Sequence, residues 1–184
     1  MTVVLHTCCG PCASACVPRL TDDGHEVTML FANSNIDTRE EFEKRKAEAE
    51  KLAKHDGVRF AALPYDHEDW LREVAAGYEN EPEKGKRCAR CFRYNLAKTA
   101  EFARANGIES FTTSLTVSPH KVSSTIFSVA ANLPNLPNLP NFLPYDFKKR
   151  EGFKLSVKRA EELGLYRQSY CGCEFSKREA KVIP

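Results

Sequence analysis

The sequence predicts an α/β fold in which a mostly parallel sheet is flanked by helices. Two observations predict it: short apolar runs alternate with longer amphipathic stretches, and turn residues separate the two. Of the 184 residues, 42% are hydrophobic and 28% are charged, which is ordinary for a globular protein with one core. We therefore expect a single domain over residues 1–184.

The first strand, predicted over residues 3–5, is a short β-branched run that leads into the cysteines. A helix over residues 12–20 follows and ends at the turn DDG, residues 22–24. The run EVTMLFA, residues 26–32, is typical of a buried parallel strand. Because ligands bind beyond the carboxyl ends of such strands, the cysteines after the first strand lie where a site is expected.

Thr38 and Glu41 form a capping box that begins a long charged helix, and Gly57 ends this helix just after His55. Periodicity and turn residues predict the other elements: a strand over residues 58–63, a short helix over 68–76, a helix over 87–105, a strand over 110–115, and helices over 121–131 and 153–163. The repeat NLPNLPNLPN, residues 132–141, predicts an extended connection, because proline at every third position excludes a regular helix.

Composition narrows the class of protein and its compartment. A net charge of +2 does not by itself indicate a nucleic-acid-binding protein. No stretch approaches the roughly 18 apolar residues of a membrane span, and the first residues lack the pattern of a signal peptide. We therefore expect a cytoplasmic protein with no membrane partner. Since disulfides are rare in the cytoplasm, the eight cysteines indicate metal or redox chemistry.

The cysteines fall into three groups, and the first contains the letters CGPC at residues 9–12, as in thioredoxins. The thioredoxin fold places a strand and a helix before the strand that leads into this motif, and only eight residues precede Cys9, so thiol–disulfide exchange here is the minor interpretation. A disulfide between Cys8 and Cys9 is disfavoured, because adjacent Cα atoms are about 3.8 Å apart and disulfides usually need about 4.4–6.8 Å. Both thiolates can instead bind one metal centre.

Cys88 and Cys91 lie three residues apart on the first turn of a predicted helix, so their side chains share one face. The helix N-terminus and the adjacent Arg87 and Arg90 are expected to lower the pKa of both thiols. With the vicinal pair of the first group they supply four thiolates, which suit a zinc ion or a [4Fe–4S] cluster. The spacing favours iron–sulfur and leaves zinc open.

Cys171 and Cys173 flank a glycine on a short turn that we expect to be flexible. Gly172 allows the two thiols to approach within disulfide distance, and a disulfide closing so small a ring is readily reduced. Two interpretations stay open for this pair: a redox-active dithiol, or two further metal ligands. In the first group, Cys16 is predicted to be a buried apolar residue, whereas Cys12 is left as either a ligand or a packing residue.

Seven segments, taken in order, form a distinctive combination: HTCCGPC at residues 6–12, NSNI at 33–36, ENEPEKG at 79–85, RCARCF at 87–92, SPHK at 118–121, LYRQ at 165–168 and YCGC at 170–173. Together they closely resemble the epoxyqueuosine reductase QueH family, over nearly the whole chain. The resemblance implies a Rossmann-like sheet related to the PP-loop nucleotide hydrolases. Those proteins carry a glycine-rich phosphate loop where this chain has cysteines, so ATP use is not expected.

The resemblance also implies a reaction, which is the reduction of epoxyqueuosine to queuosine in the tRNA anticodon loop without cobalamin. This is the last step of queuosine biosynthesis. The site residues that it implies are these: Cys8, Cys9, Cys88 and Cys91 as ligands of a [4Fe–4S] cluster, and Cys171 and Cys173 as a redox-active, catalytic disulfide. A nearby Lewis-acidic metal, additional to the cluster, is a further hypothesis for binding the epoxide oxygen.

The expected partners are tRNA and an electron donor of unknown identity. The basic residues that could bind anticodon-loop phosphates are Arg87, Arg90, Arg93, Lys148, Lys149 and Arg150. Tyr166 or Tyr170 could stack on an unpaired base. His6 and His120 are candidate acids that we keep outside the predicted site. The competing hypothesis from another class is a zinc-stabilised RNA-binding module without catalysis.

Overall fold

The computed structural model describes residues 1–133 and 139–180, with side chains up to residue 177. Within that part of the chain, one parallel sheet is formed by the strands β1 (Thr2–His6), β2 (Glu26–Phe31), β3 (Arg59–Ala62), β4 (Ser110–Thr113) and β5 (Asn141–Phe142). Their order in the sheet is β3-β2-β1-β4-β5. The predicted fold class is therefore confirmed.

All the helices except the last occur where periodicity predicts them. They are α1 (Gly10–Asp22), α2 (Arg39–Asp56), α3 (His67–Trp70), which continues as a π-helical turn over Leu71–Ala75, α4 (Lys86–Ala105), α5 (Ser123–Ala131), α6 (Gly152–Glu162) and α7 (Glu174–Ala180). A 3₁₀ turn, Ser114–Val117, follows β4. The sequence did not predict α7, β5 or this 3₁₀ turn. Half of the proline repeat, residues 134–138, lies outside the described residues.

Side chains on alternate positions of β1 pack on opposite faces of the sheet, as a fully buried parallel strand requires. Val3 and Leu5 belong to the core formed with α1, α2 and α6. Val4 belongs to the core formed with α4 and α5. The alternation places helices on both faces, so only the ends of the strands are left for a site.

The caps of α2 agree with the sequence. Thr38 Oγ1 accepts a hydrogen bond from the backbone N–H of Glu41 at 3.2 Å. Gly57 ends the helix in the left-handed conformation, with φ of 68°, which a residue without Cβ adopts at little cost. Both predicted signals are therefore confirmed.

A proline inside α1 leaves one backbone carbonyl to be satisfied by another element. Pro18 has no N–H to donate to the carbonyl of Ser14, four residues earlier. Arg159 on α6 supplies the missing donor, with its Nη1 2.5 Å from that carbonyl oxygen. The same guanidinium pairs with Asp56 at the end of α2, at 2.7 Å. One arginine thus connects three helices on the α1 face of the sheet.

Candidate metal and redox site

The first cysteines lie at the carboxyl end of β1, between the ends of β2 and β4. Asn33, just after β2, donates from Nδ2 to the carbonyl of Thr7 at 2.8 Å. Ser114, just after β4, accepts from the backbone N–H of Cys8 at 3.0 Å and donates to its Sγ at 3.3 Å. Residues from three strands therefore hold the cysteine loop in place, at the switch point where open α/β sheets bind ligands.

Three thiols gather in this loop. The Sγ atoms of Cys8, Cys9 and Cys12 all lie within 4.8 Å of one another. Cys9 caps α1, and its Sγ accepts a hydrogen bond from the backbone N–H of Cys12 at 3.4 Å. The thiols of Cys8 and Cys9 are 4.0 Å apart. Such a cluster of soft ligands suits a thiophilic metal.

The thiols of this loop differ in how readily each loses its proton. Hydrogen bonds from the thiols of Cys12 and Cys8 hold the pKa of Cys9 well below its usual range, despite burial. The pKa of Cys12 is raised, because its thiol donates to the sulfur atoms of Cys8 and Cys9 and is buried. The trio therefore carries its first negative charge on Cys9, and metal binding would displace the remaining protons.

A cavity of about 600 Å³ joins this trio to cysteines from distant parts of the chain. Cys91 and Cys171 line it together with the three thiols of the first loop. Lys121, from the segment before α5, also lines it. Although burial alone favours a neutral amine, the surrounding thiols of Cys171, Cys8, Cys12 and Cys9 raise the pKa of Lys121, so this side chain stays charged.

The second cysteine group occupies the first turns of α4, as predicted. Lys84 has a positive φ of 70°, and its backbone N–H donates to Cys88 Sγ at 3.3 Å. Burial raises the pKa of both Cys88 and Cys91, and the nearby thiols of Cys171 and Cys173 add to the rise. The expectation of lowered pKa values for these two thiols is therefore wrong, because burial outweighs the helix N-terminus and the arginines.

The two arginines beside these cysteines hold the preceding loop. Arg87 is buried, and its Nη1 donates to the carbonyls of Tyr78 at 2.9 Å and of Glu81 at 2.5 Å. Arg90 Nε donates to the carbonyl of Val74 at 3.1 Å. Arg87 is therefore not available to phosphate, which corrects one predicted RNA contact.

The third cysteine group lies beside the second, on a turn that is held by hydrogen bonds to other parts of the fold. Cys171 is exposed and lines the cavity, whereas Cys173 packs near Ser176, whose Oγ lies 3.7 Å from its Sγ. The carbonyl of Gly172 accepts from the backbone N–H of Asp37 at 2.9 Å. All eight cysteines are free thiols in this structure. The turn is bonded to the rest of the fold, which differs from the flexible turn expected.

Comparison with known proteins now decides the family. The family model described as "Epoxyqueuosine reductase QueH" matches residues 3–179. The chain belongs to this family. Relatives named epoxyqueuosine reductase QueH include those of Streptococcus pyogenes serotype M1, 37% identical over 183 residues (96% of this chain, 71% of the relative), and Thermotoga maritima, 33% identical over 183 residues (98% and 92%). The predicted family and enzyme class, an epoxyqueuosine reductase, are confirmed.

Solved structures show that the fold is shared with tRNA-modifying proteins. A U34-tRNA thiolase NcsA from Methanococcus maripaludis, solved with its [4Fe–4S] cluster, matches with a TM-score of 0.60 and 12% identity, over 98% of this chain and 64% of that one. A predicted subunit of tRNA methyltransferase from Methanocaldococcus jannaschii matches with a TM-score of 0.55 and 14% identity, over 86% and 76%. These likenesses confirm the predicted α/β fold.

In this QueH-family chain, four predicted site residues line one cavity: Cys8, Cys9, Cys91 and Cys171. Cys88 and Cys173 lie beside it and are electrostatically coupled to the cavity thiols. Cys16 is buried in the core, as predicted.

Sequence reasoning missed Lys121 as a cavity residue, although it noted the SPHK segment. It also missed the buried Arg45 of α2. Within the described part of the chain, no helix has the length and apolarity to cross a membrane.

Several predicted contact residues are engaged inside the fold. Tyr170 donates from its hydroxyl to Asp37 Oδ1 at 2.7 Å, and the Tyr166 hydroxyl lies 3.3 Å from Glu41. His6 is fully buried, and its Nδ1 lies 2.9 Å from Thr113 Oγ1. Burial lowers the pKa of His6 to about 4, so its imidazole is neutral and structural. These residues are therefore held by the protein itself.

Proposed function

We propose that this chain reduces epoxyqueuosine in the tRNA anticodon loop with a [4Fe–4S] cluster held by Cys8, Cys9, Cys88 and Cys91. The observation that supports it best is the single cavity lined by thiols from all three cysteine groups. Electron transfer falls steeply with distance, so gathering a metal site and a dithiol around one cavity suits a redox reaction on a bound group. A structural zinc site has no need of a neighbouring dithiol.

The residues present fit a cluster. Soft thiolates are its required ligands, and these cysteines are buried (Cys9) or half-buried (Cys8, Cys88 and Cys91), which limits the access of water to such a centre. When bound, the cluster would supply electrons one at a time. Cys12, with its thiol beside those of Cys8 and Cys9, is the available ligand for an additional mononuclear metal. The side chains of Asn95 and Ser114 contact Cys91 Sγ and Cys8 Sγ, at 3.8 Å and 3.3 Å, and would orient them.

The reaction balances with the C-terminal dithiol as the source of an electron pair. Cys171 and Cys173 lose two protons and two electrons as their S–S bond forms. The epoxide takes up both pairs: its two C–O bonds break, a C=C bond forms, and the oxygen leaves as water. A reducing electron carrier then restores the dithiol. The charged Lys121 lies at the same cavity, where it offsets negative charge on the thiolates.

The rim of the cavity has the side chains of a single-stranded RNA site. An enzyme acting on tRNA would work in the cytoplasm. Phe153 lines the cavity and is 37% exposed, so part of its ring is open to solvent. The Arg167 guanidinium lies 5.2 Å from the centre of its ring. Lys84 lies on the same rim. An aromatic ring with adjacent cations is how proteins stack unpaired bases and bind their phosphates.

Phe153→Ala should weaken tRNA binding by about 10-fold, since stacking one base contributes about 1–3 kcal/mol. The matched control is Leu155→Ala on the same helix, because Leu155 is also exposed, at 41%, and does not line the cavity. Fluorescence anisotropy with labelled anticodon stem-loop measures both. Equal loss in the two variants would contradict a stacking role for Phe153.

The proposed function is tested by purifying the chain anaerobically and assaying it with epoxyqueuosine-containing tRNA and a chemical reductant. Iron and acid-labile sulfide should be present at about four of each per chain. Queuosine should appear in the nuclease digest by mass spectrometry. Stoichiometric zinc without iron, together with no queuosine, would instead support the RNA-binding module.

A further inference from the structure

A buried arginine holds the C-terminal cysteine turn. Arg45 lies on α2 and is only 2% exposed, although the sequence of this helix is strongly charged. Its Nε pairs with Glu41 Oε1 at 2.6 Å. That pair neutralises the guanidinium and fixes its plane, so the remaining N–H groups point in set directions.

Those N–H groups bind the backbone of the cysteine turn. Arg45 Nη1 donates to the carbonyl of Cys171 at 2.9 Å, and Nη2 lies 3.5 Å from the carbonyl of Tyr170. The backbone N–H of Asp37 binds the next carbonyl, that of Gly172, at 2.9 Å. Three consecutive carbonyls of an irregular segment are thus each held by the region around the start of α2.

The glycine of the turn is required by this docking. Gly172 has a φ of 146°, and a Cβ there would lie 3.0 Å from Asn35 Nδ2 and 3.3 Å from Arg45 Nη1. The guanidinium therefore approaches the turn as closely as a glycine permits. The Tyr170 ring also lies over Arg45, with 4.9 Å between the guanidinium carbon and the ring centre.

We propose that Arg45 is a positioning residue for the Cys171 and Cys173 dithiol, which it holds in the orientation that lines the cavity with the Cys171 thiol. This inference rests on the proposed redox role of that dithiol. In the conformation that Arg45 binds, both cysteines are free thiols. Any rotation of the Gly172 backbone that accompanies closure of a disulfide across one residue would break these carbonyl bonds. Arg45 therefore favours the dithiol over the disulfide.

The test compares holoenzyme variants under anaerobic conditions. Arg45→Lys retains the charge and loses the planar fork. Arg159→Lys is the matched control, because Arg159 is another inward-facing arginine that binds a backbone carbonyl and an acidic side chain, and these partners, Ser14 and Asp56, lie outside the cysteine turn. The dithiol–disulfide equilibrium is measured in glutathione buffers by alkylation and mass spectrometry. Hydrogen exchange of the Asp37 amide reports the docking of the turn directly.

Arg45→Lys should shift the equilibrium about 10-fold towards the disulfide, which is about 30 mV for two electrons. It should also accelerate exchange at Asp37, while Arg159→Lys changes neither. If Arg45→Lys does not fold, Tyr170→Phe removes the hydroxyl bond to Asp37 at the same turn, and a shift of about threefold in the same direction is expected.

An unchanged equilibrium with unchanged Asp37 exchange overturns the role of Arg45. So does an equal shift in Arg159→Lys, which would indicate a general loss of stability. If the unsubstituted enzyme forms no Cys171–Cys173 disulfide in any buffer, the redox role of the dithiol fails. Arg45 is then judged as a positioning residue by the Asp37 exchange alone.

Discussion

Cys9→Ser is expected to remove the cluster and to lower turnover by about 100-fold or more, since even residues that only support metal ligands cost about 10–100-fold. Cys9 is 1% exposed, and its thiolate accepts hydrogen bonds that serine could not reproduce as an anion at neutral pH. Iron and sulfide per chain, measured anaerobically beside the tRNA assay, check the result. Full iron content with normal activity would remove Cys9 from the ligand set.

The matched control is Cys16→Ala. Cys16 is fully buried one turn beyond Cys12, and its thiol donates to the Cys12 carbonyl at 3.4 Å. Since it does not belong to the thiol trio, this variant should keep its iron while losing some thermal stability. Loss of iron from Cys16→Ala would show that iron content in this assay follows folding rather than ligation.

The same measurement decides whether Cys88 or Cys12 is a cluster ligand. The proposed set predicts that Cys88→Ser loses the cluster and that Cys12→Ser keeps it. The geometry makes this a sharp comparison, because Cys12 lies with Cys8 and Cys9, whereas Cys88 lies on α4 beside Cys91. If Cys88→Ser retains the cluster and Cys12→Ser loses it, Cys12 replaces Cys88 in the ligand set.

Cys171→Ser is expected to keep its iron and to lose turnover by about 100-fold or more, because even a misplaced reacting group costs about 100-fold. The Cys171 thiol lines the cavity. The variant removes one of the two thiols that supply the electron pair and leaves Cys8, Cys9 and Cys12 unchanged. Cys173→Ser should behave in the same way. Because the two thiols act as a unit, the double variant should be no worse than either single one.

The result is read from iron content and queuosine formed per enzyme under identical reductant. Normal turnover in Cys171→Ser would exclude the dithiol from the reaction. Lost iron in the same variant would instead support the other interpretation of this pair, as metal ligands. The two outcomes are distinguished in one preparation, since metal analysis and turnover use the same sample.

Local patterns predicted most of the fold. The caps of α2 and the apolar stripe of α4 follow from residue spacing alone, and both are present. The misses are short elements. β5 has two residues and exists because it pairs with β4 through Phe111 and Phe142. α7 has little apolar pattern, and Phe175 packs on Trp70 from a distant helix. Such elements depend on contacts that no window of sequence contains.

The sequence predicts the three cysteine groups, but it does not predict that thiols from all three line one cavity. The pKa values of Cys88 and Cys91 were predicted in the wrong direction, because the helix and arginine effects are local whereas burial is set by the whole fold. Arg45 was hidden in a helix whose charges are typical of an exposed surface. Its partners lie about 125 residues away along the chain.

The sequence by itself determined the alternation of most of the strands and helices along the chain, the three cysteine groups and the family. Spacing, caps and thiol chemistry act between residues that are near one another, so they can be read directly. Only the tertiary structure decided that Cys91 and Cys171 share a cavity with Cys8 and Cys9, that Cys12 joins them, and that an arginine holds the redox turn. Burial, charge and cavity contacts arise when distant segments pack together, which is where this protein places its chemistry.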